Sequence, residues 1–243
     1  MPSLLVINPN TSGFVSELLQ AHVQAALGTA MHVRTLTARF GAAYIASEAS
    51  HAVAQHAVLD AWAVAHSQGP RPDAVLIGCF GDPGLFALRE GAGVPVSGLA
   101  EAAFAAAAAH GRFAVVTGGA RWRPMLSRLA DALGYAGALA GIHTVAPSGA
   151  ELAADPDGAR RLLAQACREA AETFGAQAVV LGGAGLAGMA HDIGADLPVP
   201  LIDSVQAGAQ WARTVAQGAS ATPASGRFGV AWENLSWEMS ALP

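Results

Sequence analysis

Residues 75–85 read VLIGCFGDPGL, and residues 179–189 read VVLGGAGLAGM. Each is a branched apolar run followed by glycines at matching places: Gly78 with Gly182, Gly81 with Gly185, and Gly84 with Gly188. A short apolar run that stops at glycine reads as a buried strand ending in a tight turn. The two copies differ at one chemically important place, where the first has Cys79 and the second has Gly183.

Working outward, the neighbouring segments also recur. RFAVVT (112–117) repeats SLLVIN (3–8), and GIHTVAP (141–147) repeats HVRTLTA (32–38), both at an offset of 109 residues. The glycine turns repeat at an offset of 104, and LPVPLI (197–202) repeats VPVSGL (94–99) at 103. Four strand-like segments in one order at nearly one offset point to an internal duplication of an α/β unit of roughly 105 residues. Between them lie amphipathic stretches. Phe14, Leu18, Leu19, Val23 and Leu27 share one stripe, and residues 50–69 form a longer helix. Strands alternating with helices predict parallel sheets joined by right-handed crossovers. The expected fold is therefore α/β, with two pseudo-symmetric lobes. Lobe one is assigned residues 1–98 plus 206–243, and lobe two residues 99–205.

Composition narrows the function classes. The chain has 243 residues, 53% hydrophobic and 13% charged, with a formal net charge of −5. That is a globular composition, and without a dense basic cluster it does not suit nucleic acid. The start, MPSLLVINPN, has no basic region before its short apolar run, and no uninterrupted apolar stretch reaches membrane-spanning length. A cytoplasmic protein without membrane attachment is expected. The two cysteines, Cys79 and Cys167, lie in no metal-ligand spacing. Both are expected to be free thiols, Cys167 a structural one within a helix.

In open α/β sheets, ligands sit beyond the carboxyl ends of the strands. Two facing units would bring their strand-end turns onto one cleft, with Cys79 on one wall and Gly183 on the other. Asp82-Pro83 reads as a cap and first residue of a helix. Cys79 would then precede a helix N-terminus, where the dipole lowers a thiol pKa toward neutrality. Two readings of Cys79 stand: a thiol that exchanges a proton, and a small buried apolar residue. The turn after the first strand offers Asn10 and Thr11, with Ser12 or Thr11 as the helix cap. Its counterpart after RFAVVT offers Thr117 and Gly118. Neither is a phosphate loop of nucleotide-binding type. Tyr44 is expected near the cleft, with Phe80, Gly81, Ala184 and Gly185 completing the substrate-contacting set. His51, His56 and His66 read as a solvated helix face, and His191 as a candidate acid or base. The C-terminal VAWENLSWEM is expected to pack on a sheet or on a neighbouring subunit.

Together VINPNTS, GCFGDPGL, PVSGLAEAA, VVTGGARWRPML and GGAGLAGM…LPVPLID resemble hydantoin and allantoin racemases of the aspartate/glutamate racemase superfamily, over about residues 4 to 212. The resemblance implies two lobes with four-stranded parallel sheets, no cofactor and no metal, and commonly a homo-oligomer. It also implies a small-molecule substrate: a carboxylate, a hydantoin or a ureide. Two cysteines would exchange protons on opposite faces of an acidic carbon beside a carbonyl. The first falls on Cys79; the second would fall at Gly183, which has no proton to exchange. The resemblance thus implies an isomerase-type proton-transfer enzyme, with water, His191 or another loop in place of the second thiol. A decarboxylase using Cys79 alone, and a degenerate small-carboxylate binder, are the two alternatives.

Overall fold

The computed structural model of the protein describes residues 1–147, 149–218 and 226–242. In chain order the first half contains β1 (Ser3–Asn8), α1 (Gly13–Leu27), β2 (His32–Thr37), α2 (Glu48–Gln68), β3 (Ala74–Ile77), α3 (Leu85–Gly91) and β4 (Val96–Gly98). Helix α4 (Leu99–Ala108) crosses to β5 (Phe113–Gly118). There follow α5 (Trp122–Ala132), β6 (Leu139–Val145), α6 (Gly149–Ala154), α7 (Pro156–Phe174), β7 (Ala178–Leu181), α8 (Met189–Ile193) and β8 (Leu201–Asp203). The chain then runs through α9 (Ser204–Ala216) to α10 (Trp237–Ser240). Two four-stranded sheets form, in the orders β2-β1-β3-β4 and β6-β5-β7-β8. All pairings are parallel, as the alternation predicts.

The sheets repeat each other residue by residue. Ile7 pairs with Ile77 where Val116 pairs with Leu181. At the fourth strands, however, Ile77 pairs with Gly98 and Leu181 with Asp203, an offset of 105 rather than 103. Proline explains the slip. Pro95 and Pro200 cannot donate to the ladder, so these strands are three residues long and start after the proline. Strand β3 likewise stops at Ile77, which leaves Cys79 in the turn rather than on the strand.

Between the sheets lies a shared apolar layer built by α1, α4 and α9, with Leu4, Leu76, Phe104, Phe113, Val115 and Val180 among its buried residues. Outside the first sheet, α2, α3 and α10 bury Val58, Trp62, Leu88 and Met239 against Leu5 and Ile77. Outside the second, α7 buries Leu163 and Cys167 against Val179 and Leu181. Cys167 is fully buried, and burial pushes its thiol up to about 12, which makes it the structural residue expected. Among the described residues no helix is long and apolar enough to cross a membrane.

The two glycine turns dock directly on each other's halves. The Phe80 ring occupies the space where a Cβ on Gly182 would stand, 2.1 Å from the nearest ring carbon. The Trp122 ring of α5 occupies the same space at Gly81, at 2.4 Å. His22 of α1 does so at Gly188, at 2.5 Å. Phe80 also meets Phe104 edge to face, at 6.0 Å between centroids. The C-terminal segment packs over the first sheet as expected, with Met239 and Leu242 in the buried cluster of Leu5 and Ile77. It packs on α2, because Arg39 bridges Asp60 on that helix (2.6 Å) to Glu238 on α10 (2.8 Å), while Ser236 donates to Asp60 at 2.8 Å.

Two outcomes follow. Gly182→Ala must displace the Phe80 ring, at a cost of about 1–3 kcal/mol in urea unfolding. Paired with Phe80→Leu, the combined loss should fall short of the sum of the single losses by about 0.5 kcal/mol or more. Burial raises the Asp60 pKa, but the hydrogen bonds from Arg39 and Ser236 outweigh it and hold the carboxyl below its ordinary value. Arg39→Met should therefore destabilise the fold by about 1–2 kcal/mol at neutral pH, a figure kept low because the guanidinium is half exposed. Stability from a depressed carboxyl is present above its ordinary value and is lost as pH falls. The difference between Arg39→Met and the native protein should accordingly narrow below about pH 4.

Candidate active site

The strand-end turns of both sheets converge on one cleft. Cys79 and Phe80 come from the turn after β3, and Gly183, Ala184 and Gly185 from the turn after β7. Asn10 follows β1, Thr117 and Gly118 end β5, and Tyr44 enters from the segment before α2. Nine of the eleven residues expected from the sequence thus line one cavity. Thr11 does not line it, since its amide is used in tying the β1 turn to Ala42 O at 3.1 Å. Gly81 is absent from it because Trp122 covers that glycine.

Each wall has a local cause. Ser12 caps α1, its hydroxyl accepting from Val15 N at 3.4 Å. Asn8 is fully buried and donates to Asn10 Oδ1 (3.0 Å), which also accepts from Ser12 N (2.9 Å). These bonds commit the Asn10 oxygen inward and leave its amide nitrogen as a donor on the cleft wall. Thr117 stands in the second sheet at the register place of Asn8 and is nearly buried. The amides of Phe80 and Ala184 donate to no backbone acceptor among the described residues. Val15, Ile45, Trp122 and Leu186 make up the apolar remainder, and among the described residues no charged side chain lines the cavity.

The turn holding Cys79 differs from the sequence expectation in two respects. Helix α3 begins at Leu85, with Gly84 at φ 75° in the cap position and no side-chain cap. Asp82 caps α4 instead: its carboxylate oxygens accept from Ala100 N (2.9 Å) and Glu101 N (2.8 Å). No cap-and-proline helix start therefore stands next to the thiol to make it acidic. Burial comes first, and the nearby Asp82 charge second, in pushing the Cys79 thiol well above its ordinary value. Cys79 rests as the protonated acid, 8% exposed, with the cleft as its opening.

Gly183 lines the same cleft with a backbone that only glycine adopts readily, at φ 147°. A Cβ built there would lie 3.3 Å from Leu186 Cγ. The Gly183 amide donates to Ser204 Oγ at 3.2 Å. His191 is exposed on α8 and lines no part of the cavity, so the candidate acid or base is not supplied from there. His51 is also misplaced by the sequence. It leaves the solvated face of α2, and its Nε2 lies 3.0 Å from Gly81 O. Nor did the sequence indicate Trp122, Ile45 and Leu186, whose apolar side chains look the same on paper as any core residue. Among the described residues no group of three or more His, Cys, Asp or Glu is placed to hold a metal ion.

With this geometry in place, similarity to known proteins is informative. Residues 4–212 match the Asp/Glu/hydantoin racemase family. The chain is 34% identical over 217 residues to a hydantoin racemase of Paenarthrobacter aurescens, covering 87% of this chain and 90% of that one. It is 32% identical over 211 residues to a hydantoin racemase of a Pseudomonas species, covering 86% and 84%. Its structure superimposes on allantoin racemase from Klebsiella pneumoniae with a TM-score of 0.88 and 31% identity, over 100% of this chain and 99% of that one. Two parallel sheets in one order, a cleft between their strand ends, and similarity over nearly the whole chain agree: the protein belongs to the Asp/Glu/hydantoin racemase family and is an isomerase-type enzyme.

Proposed function

We propose that the protein moves a proton at an acidic carbon next to a carbonyl, in an uncharged cyclic imide or ureide of hydantoin type, with Cys79 as the exchanging group. The observation that carries this reading is a cleft lined by Cys79 from one turn and by Gly183 from its counterpart. Family membership favours proton transfer over the decarboxylation and binding-only readings. A cleft that no charged side chain among the described residues lines suits a neutral ring better than an amino acid or dicarboxylate, because an unpaired charge is costly to bury. Its apolar walls suit an apolar ring substituent.

In the proposed chemistry the Cys79 thiol first gives its proton to solvent water; the carbon–hydrogen bond then breaks, its proton passes to the thiolate Sγ, and the electron pair moves onto the carbonyl oxygen as an enolate. Donors at the wall, the Asn10 amide nitrogen, the Thr117 hydroxyl and the Phe80 and Ala184 amides, are the groups suited to hold that oxygen. The thiol then returns a proton to the carbon. A thiol held above its ordinary pKa gives a strongly basic thiolate, which suits a weak carbon acid. At Gly183 no side chain stands ready on the opposite face.

The test uses one enantiomer of a hydantoin with an apolar substituent in heavy water. Deuterium uptake at the ring carbon should outpace the loss of optical rotation. No uptake above the uncatalysed rate would sink the reading, and equal rates would demand a second acid or base. Cys79→Ser should lower uptake by about 10²–10⁴-fold. Gly183→Cys should speed loss of rotation relative to uptake. It should also cost about 1 kcal/mol or more, because the side chain must force φ out of the glycine region.

A further inference from the structure

Asp82 is a buried carboxylate that the chemistry above leaves unused, and its surroundings are built around it. It is 3% exposed and sits at φ 47°; among the described residues only Asn234 is another non-glycine with positive φ. Asp and Asn tolerate that region better than most residues. Its carboxylate grips the first turn of α4, the helix that crosses from the first sheet to the second. Gly98 must be glycine to admit it, since a Cβ there would lie 2.2 Å from Asp82 Cγ.

The second half makes the same tie in the opposite sense. Asp203 stands at the register place of Gly98. It accepts from Gly188 N (2.9 Å) in the glycine turn, and from Val205 N (2.8 Å) and Gln206 N (3.1 Å) at the start of α9. Both halves therefore lock the glycine turn to the following helix through one carboxylate. The half with the thiol carries that carboxylate in the turn, three residues from Cys79. The half with Gly183 carries it on the strand.

We propose that Asp82 is a positioning residue for Cys79: its amide closes the turn onto Cys79 O at 3.1 Å, its carboxylate fixes that turn on α4, and its charge acts on the sulfur. This rests on the reading of Cys79 as the exchanging group. Burial pushes the Asp82 carboxyl up to about 7, so its charge changes near neutral pH. While Asp82 is neutral the thiol ionises more readily; once Asp82 is ionised, thiolate formation meets a like charge. Among the other charged groups around it, Glu101 also raises the Asp82 carboxyl, after burial. Glu101 of α4 pairs with Arg89 of α3 at 2.5 Å, and Glu48 of α2 pairs with Arg128 of α5 at 2.7 Å. His51 of α2 lies against Gly81 O.

The experiment is the pH dependence of Cys79 alkylation by iodoacetamide, assigned by peptide mass, with buried Cys167 as the internal control. In the native enzyme the logarithm of the rate should rise with pH, flatten near pH 7 as Asp82 ionises, and rise again. In Asp82→Asn the flattening should vanish, and the rate at about pH 8 should increase about tenfold, one pKa unit. Deuterium exchange by Asp82→Asn should lose about tenfold in kcat or more, with KM within about threefold. A straight profile in the native enzyme overturns the proposal, and so does flattening that survives in a folded Asp82→Asn. The native profile decides even where the variant does not fold. If the flattening is present but no hydantoin exchanges deuterium, the charge coupling stands and the proposed function fails.

Discussion

The structure depends on rings taking the place of side chains that glycines lack. Phe80 from one half fills the space beside Gly182 of the other, and Trp122 from the second half fills the space beside Gly81 of the first. These contacts do more than bury apolar area. They bring two strand-end turns together so closely that neither turn can carry a Cβ at the contact. The cleft is what remains between the turns on the strand-end side. Its walls are consequently backbone-rich, and backbone amides are donors that need no rearrangement when charge develops on a ligand oxygen.

Duplication gives the molecule a near-twofold plan, and the chemistry lies in the departures from it. Cys79 and Phe80 occupy the places that Gly183 and Ala184 hold in the other half. Asp82 and Gly98 exchange roles with Leu186 and Asp203. The first half thus gathers sulfur, carboxylate and aromatic ring in one turn, while the second keeps that turn small and apolar. The turn that brings a titratable thiol to the cleft thus has a glycine at the matching place in its counterpart. The consequence is chemical asymmetry around a cavity whose framework is symmetric.

The same departures explain how the turn is held. Asp82 pins it to α4, His51 lies against Gly81 O, and Trp122 covers Gly81. The three come from three different elements, so the thiol is fixed from several directions. The Arg39 cluster acts at the other end of α2, where it holds α10 against the outer layer.

Much of this could be read from the sequence alone. The apolar runs, their order and the recurring glycine spacing determined two parallel four-stranded sheets and put Cys79 and Gly183 in the strand-end turns that line the cleft. They did so because strand burial and turn geometry leave a local signature in residue type and period. A cap on α1 at Thr11 or Ser12, and Cys167 as a core residue, were legible for the same reason, and the structure places the cap on Ser12. What tertiary structure decided was partnership. Asp82-Pro83 has the letters of a local cap, yet the carboxylate turns to α4 because Gly98 opens room for it. His51 has the spacing of a solvated face, yet it meets Gly81 O. The fourth strands slipped by two residues because proline removes ladder donors, a loss that hydrophobic pattern does not register. The thiol's acidity also lay beyond the sequence, since burial and the charge beside a group are properties of packed space rather than of neighbouring letters.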